Sequence, residues 1–316
     1  MTDRIPSLGP RHTVATSLEN HPVFRAASWI ARPTALLLFT LALSACVGTA
    51  GAIAPSAPPS KSPTPVDPDR PIFSVTWDGG FVGPGTILGR LPVIVVYPDG
   101  RVIVQGPQIE IYPGPLMPNL QERTLTPAAL ARLIELARDR DLLRTIHYDF
   151  PGIADATDTI LTINLDGATY RVSAYALTEA AFDLGPGSDD AMPKGRAALR
   201  DFIDVLTGLP ASDYVDAEHS YVAKSIRVYA GKDVLVSNDD LPIDQPAVAW
   251  PLEDLATAGE AVVNRAIDVR CQVITGDDLL TVMPLLQGAN SLTAFVSGGE
   301  PYGLIVRPML PGETGC

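Results

Sequence analysis

Two apolar rhythms alternate along the chain from Ile72 onward. One is the short β-branched run bounded by a turn. Residues 91–97 (LPVIVVY), the turn signal Pro98-Asp99-Gly100 and residues 101–105 (RVIVQ) predict a hairpin. Residues 159–165, the dipeptide Asp166-Gly167 and residues 169–177 predict a second one. The other rhythm is helical. Thr126 is a favourable N-cap, Pro127 suits the first helical position, and Leu130, Leu133, Ile134 and Ala137 share a face. Over residues 193–206, Leu199, Phe202, Ile203 and Leu206 stand at i, i+3, i+4 and i+7 before Gly208 closes the pattern. The resulting order, ββαββα, lets two helices bury their stripes on one face of an antiparallel sheet.

From Ala211 the pattern is less regular. Strands are expected at residues 219–229, 234–236 and 266–274, with a closing pair at 292–296 and 302–306 joined by Ser297-Gly298-Gly299-Glu300. Helices are expected at 251–258 and 277–286, the latter capped by Asp277 or Gly276. The fold class is therefore α+β, as two small α+β domains with antiparallel sheets over residues 72–209 and 210–316.

A third pattern precedes these. Arg25 and Arg32 stand before an uncharged, Leu-rich run at residues 34–43 (TALLLFTLAL), the outline of an export signal. Small Ser44 and Ala45 then give a peptidase access to the backbone beside Cys46, whose thiol is the side chain most readily alkylated. The tetrad Leu43-Ser44-Ala45-Cys46 resembles the lipobox of bacterial lipoproteins. That resemblance implies a signal peptide over residues 1–45, cleavage between Ala45 and Cys46, and diacylation of the Cys46 thiol. One acyl chain holds marginally at about 0.8 kcal/mol per CH₂, whereas two or three hold durably. A retained spanning helix and an ordinary cleaved signal are the alternatives. A spanning helix needs about 20 apolar residues, but the strongly apolar part ends at Leu43 and residues 47–52 are small and Gly-broken. Residues 1–21 are long for the charged region of such a signal, which places the translation start further in. Residues 46–71 are Ala-, Ser- and Pro-rich, with seven prolines between Val47 and Pro71, and read as a disordered linker. Extended at about 3.1 Å per residue, it holds the body up to roughly 75 Å from a membrane.

Charge narrows the partners. The chain carries 23 basic and 36 acidic residues; without the four Arg, Asp3 and Glu19 of residues 1–45, 19 basic face 34 acidic residues, a net charge of −15. Such a surface repels phosphate backbones, so nucleic acid is excluded. With Cys46 lipidated, Cys271 and Cys316 are the remaining thiols, and in an oxidising compartment a lone pair forms a disulfide. For this loop the chain-entropy model gives roughly 4 kcal/mol. Two free buried thiols are the alternative reading.

Catalytic signatures are sparse. The sequence has no Gly-x-Ser-x-Gly elbow, no His-Glu-x-x-His and no phosphate loop ending in Gly-Lys-Ser/Thr. Gly80, Gly83, Gly85 and Gly89 are interrupted by Pro84 and do not make a nucleotide loop. One polar cluster stands out: His147, Asp149, Asp155 and Asp158 lie in a loop between a helix and a hairpin, where hard oxygen donors could gather around Ca²⁺. The spacing matches no EF-hand, and the favoured reading is that Asp155 and Asp158 make turn and capping hydrogen bonds while His147 is exposed. Asp189-Asp190, Asp239-Asp240 and Asp277-Asp278 read as solvated caps, and residues 112–118 (YPGPLMP) as a Pro-locked connection or a rigid binding loop.

Together the lipobox, the Pro-rich linker, the PVIVVYPDGRVI hairpin, the IYPGPLMP segment, the LDG turn and the terminal RPMLPGETGC resemble lipoproteins of high-GC actinobacteria, and the first half is similar to a ββαββα domain of unknown function. The resemblance implies a location on the outer face of the cell membrane, anchored through Cys46, and brings no activity or cofactor with it. The expected function is non-catalytic, either binding of a small ligand or an envelope protein or a contribution to envelope structure; the alternative is an envelope hydrolase using a carboxylate or metal site around residues 147–158. A cation site in that loop would raise the melting temperature on addition of Ca²⁺, and no shift at millimolar Ca²⁺ would remove it.

Overall fold

The computed structural model describes residues 67–150, 152–179, 194–234, 247–263 and 266–316. Residues 1–66, with Ala45 and Cys46, lie outside them, as do Asp189-Asp190, Asp239-Asp240, Pro193 and residues 235–236. Residues 61–316 form one compact unit.

The first sheet has eight strands: β1 (Phe73–Gly79), β2 (Ile94–Val96), β3 (Arg101–Gln105), β4 (Leu120–Thr124), β5 (Ile146–Tyr148), β6 (Thr157–Leu165), β7 (Ala168–Tyr175) and β8 (His219–Ser220), in the order β5-β7-β6-β1-β2-β3-β4-β8. Both expected hairpins are present, β2 with β3 and β6 with β7. Asp166 (φ 54°) and Gly167 (φ 77°) make the two-residue turn whose left-handed backbone matches the strand twist. At the other turn, Gly100 (φ 91°) leaves room for the Leu125 carbonyl, 2.9 Å from where a Cβ would stand. The pattern missed β1, β4 and β5, and of these β1 lies centrally between β2 and β6. Its alternation is short, with Phe73 and Val75 buried, and it runs into Gly79-Gly80, which reads as loop.

The helices α1 (Pro84–Gly89), α2 (Pro127–Asp139) and α3 (Lys194–Thr207) follow in chain order. The α2 start is as expected: the Thr126 hydroxyl accepts the Ala129 N–H at 3.1 Å and Pro127 occupies the first turn. Ala129, Leu133 and Ala137 of α2, with Leu199, Phe202 and Leu206 of α3, bury against Phe73, Val75, Ile94, Leu161 and Ile163. Phe73 and Phe202 meet with ring centroids 5.3 Å apart. Each of the larger side chains, Leu, Ile, Val or Phe, contributes about 1.5–3 kcal/mol as an upper figure, so this two-layer core holds the helices on the sheet.

The second sheet comprises β9 (Ser225–Gly231), β10 (Val248–Ala249), β11 (Glu260–Ala261), β12 (Arg270–Thr275), β13 (Phe295–Ser297) and β14 (Glu300–Pro308), ordered β10-β13-β14-β9-β12-β11, with α4 (Gly276–Gln287) across it. Three expectations are corrected here. The strand expected over 219–229 is two strands in different sheets, β8 beside β4 and β9 beside β12 and β14, because the polypeptide crosses between the sheets at residues 221–224. Residues 251–258 are turns rather than a helix: Asp254 accepts the Ala256 N–H and the Ser297 hydroxyl, so the aspartate organises a local loop. The N-cap of α4 is Thr275, without a side-chain capping bond, while Asp277 and Asp278 sit in its first turn and favour the helix dipole. Lys232–Val234 is a 3₁₀ turn at the start of the strand expected over 234–236.

The boundary expected near 209 is crossed in both directions. β8 joins the first sheet, and the end of the chain returns to it: Tyr97 and Tyr221 donate their hydroxyls to the carbonyls of Pro311 (3.2 Å) and Met309 (2.8 Å). Arg307, 7% exposed, holds Glu313 by two 2.6 Å bonds and donates to the Arg90 carbonyl at 2.9 Å. Cys271 and Cys316 are joined by a disulfide, Cα atoms 6.0 Å apart. Residues 67–71, assigned by composition to the linker, are hydrogen-bonded to the body: Arg101 bonds Asp69 and the Pro68 carbonyl, and Asn164 bonds the Pro71 carbonyl.

Burial at this junction pushes the Tyr221 phenol up to about 12, helped by Glu122 and Glu313, and moves Tyr97 further in the same direction. Burial would also raise Glu313, but the hydrogen bonds and charge of Arg307 outweigh it and hold the carboxyl below its usual range. An unfolded tyrosine releases its proton near pH 10. Stability from these phenols is thus complete below that pH and is lost as pH rises through the folded values. Part of the 295 nm tyrosinate rise should therefore arrive only with loss of far-UV circular dichroism, and Tyr97→Phe with Tyr221→Phe should remove that part. Titration of all nine tyrosines near pH 10 with the fold intact would contradict the buried junction.

Candidate functional site

Strands β1 and β6 run antiparallel with Val75 opposite Leu161 and Trp77 opposite Thr159. Their odd-numbered side chains point to the helix layer, since Phe73, Val75, Leu161 and Ile163 all belong to its core. Toward the Trp77 end that core runs out before the sheet does. There α3 presents Arg200, Ile203, Asp204 and Thr207 at i, i+3, i+4 and i+7, and between the helix and the sheet lies a groove of about 440 Å³. Val75, Val93, Leu177 and Ile203 give it apolar walls, Trp77 borders it while 46% exposed, and the polar groups are Thr159, Thr178, Arg200, Asp204 and Thr207. The guanidinium of Arg200 donates to the Leu177 carbonyl and so braces one wall.

The floor carries an anomaly. Thr159 is 3% exposed, and its Oγ1 has no hydrogen-bond partner among the described residues. A buried hydroxyl left unpaired costs about 1–3 kcal/mol, and β-branched strand positions ordinarily avoid this by carrying Val or Ile.

What fixes α3 over the groove is Arg196. It is 0% exposed, and its guanidinium donates to the carbonyls of Tyr148 (3.2 Å), Tyr175 (2.8 Å) and Ala176 (3.2 Å), with the Phe150 ring 5.1 Å away. These carbonyls lie at the ends of β5 and β7, where the ladder no longer uses them. Gly195 permits the approach, because a Cβ there would run into the Tyr148 ring. Burial lowers the Arg196 pKa, Arg200 adds to that and Asp149 opposes it; an arginine remains charged nonetheless.

The sequence-derived cluster is drawn together only in part. His147 Nδ1 lies 2.9 Å from Ser173 Oγ and 3.5 Å from Asp158 Oδ1. Ser173 is a member the spacing could not supply, reached across the β5–β7 pairing. Asp149 caps the Phe150 N–H at 2.8 Å, and Asp155, at φ 58°, offers its carbonyl to the Phe81 N–H. Among the described residues no group of three His, Cys, Asp or Glu converges to hold a metal. Ser, His and Asp also fail as a relay. A relay uses one ring nitrogen for the serine and the other for the carboxylate, whereas both partners here face Nδ1. A proton on that nitrogen can serve Asp158 but then cannot be taken from Ser173, and without it the carboxylate meets a lone pair.

Residues 112–118 are a connection between the sheets: Leu116 donates to the Ala289 carbonyl, Ser291 donates to that of Gly114, and Leu116 and Met117 pack on the second core. No described helix is long and apolar enough to cross a membrane. Comparison with protein-family models, with curated proteins and with solved structures returns no match.

Because Arg196 replaces the missing ladder partners of three carbonyls, Arg196→Met should lower stability by about 3 kcal/mol in denaturant titration. A change within about 0.5 kcal/mol, the range of an ordinary surface site, would mean that the guanidinium does not hold the helix.

Proposed function

We propose that this chain is an exported lipoprotein, anchored through acylated Cys46 to the outer face of the membrane, whose acidic body binds a small ligand in the groove between β1, β6 and α3 without transforming it. The groove carries the reading: it is large enough for a small organic molecule, about 300–1,000 Å³ being usual for such sites, and few polar groups converge on it. Export is supported by the Leu43-Ser44-Ala45-Cys46 tetrad after an apolar run and by the Cys271–Cys316 disulfide, a bond kept in oxidising compartments.

The hydrolase alternative rests on the proximity of Ser173, His147 and Asp158, and the sharing of one ring nitrogen weighs against it. The anchor is tested by expression in a host that processes lipoproteins. The mature chain should begin at Cys46, carry fatty acyl mass and sediment with membranes, and Cys46→Ser should lose the acyl mass. An unmodified Cys46, or a product still carrying residues 1–45, would overturn the anchored location.

A further inference from the structure

We infer that the groove ligand is a neutral, largely apolar molecule bearing one hydrogen-bonding group, a hydroxyl or carbonyl, that pairs with Thr159; this rests on the groove being the binding site. The polarity at the floor is a hydroxyl, which matches neutral donors and acceptors and offers nothing to offset a buried charge. Oγ1 is covered in the empty groove, and rotation about the single Cα–Cβ bond exchanges it with the Thr159 methyl, so an entering group can meet it. The rim argues the same way. Arg200 and Asp204 stand one helical turn apart on α3 with opposite charge, Arg200 is committed to the Leu177 carbonyl, and Asp204 is exposed and solvated. An anionic head would meet Asp204 and a chain of net charge −13. Trp77 adds a half-exposed indole, a surface on which a planar or extended apolar body can lie.

A single-scaffold series tests this on the full chain carrying Cys46→Ser: naphthalene, 2-naphthol and 2-naphthalenesulfonate, measured by calorimetry. The wild-type groove should take 2-naphthol about five-fold more tightly than naphthalene and the sulfonate most weakly. Thr159→Val should bring 2-naphthol and naphthalene to equal affinity while leaving the melting temperature unchanged or raised, since it removes an unpaired hydroxyl. Ile203→Trp should fill the groove and abolish binding of all three at an unchanged melting temperature. Equal affinity of 2-naphthol and naphthalene for the wild type, tightest binding of the sulfonate, or a lower melting temperature for Thr159→Val would overturn the ligand class while Ile203→Trp sensitivity keeps the groove as the site. Failure of all three probes to bind, or a concentration-dependent dimer that excludes them, would overturn the groove reading together with the inference.

Discussion

A buried guanidinium that bonds three backbone carbonyls is the constraint on which the rest of this structure depends. Sheet ends leave carbonyls without ladder partners, and burying them unpaired is costly. Arg196 meets the ends of β5 and β7 at once and does so from the first turn of α3. The helix is thereby fixed at one end by polar bonds and along its length by Leu199, Phe202 and Leu206 in the core. Its flanking stripe, from Arg200 to Thr207, is left standing beside the sheet rather than on it, and the groove is the space that remains.

The second constraint ties the chain's ends to its middle. Arg307 and Glu313, the Cys271–Cys316 disulfide, and the hydroxyls of Tyr97 and Tyr221 hold the C-terminal residues against both sheets, while Asp69 and Arg101 hold the start of the body beside them. Groups at this junction are buried and polar, so they are paired: the Arg307 fork matches the carboxylate of Glu313 in both distance and number.

Elements made by local pattern were legible. The Asp-Gly turns, the Thr126 cap and the helical stripes of α2 and α3 each rest on residues within one or two turns of one another, and the structure has them where the spacing puts them. Elements made by distant pairing were not. β1 carries two buried apolar side chains and gains its place from β2 and β6, whereas residues 251–258 have an apolar spacing that Asp254 and Ser297 overrule. The groove was illegible for the same reason: its walls come from positions 75, 77 and 93, from 159, from 177 and 178, and from one stripe of α3, and no spacing links them. Arg196 reads in sequence as a solvated helix charge, and a threonine in the apolar run of β6 reads as an ordinary strand residue. The cluster over residues 147–158 was half visible, since His147 meets Asp158 directly but shares the same ring nitrogen with Ser173 of another strand.

The resulting account is of a body in which one helix, standing clear of the Trp77 end of β1 and β6, leaves a largely apolar cleft within an acidic molecule. Its most direct test is two-dimensional NMR of isotope-labelled protein during titration with 2-naphthol. The account predicts shifts confined to the Trp77 indole, Thr159, Leu177 and Ile203 and their sequence neighbours. Shifts centred on His147 and Ser173, or on the Cys271–Cys316 end of the second sheet, would contradict it.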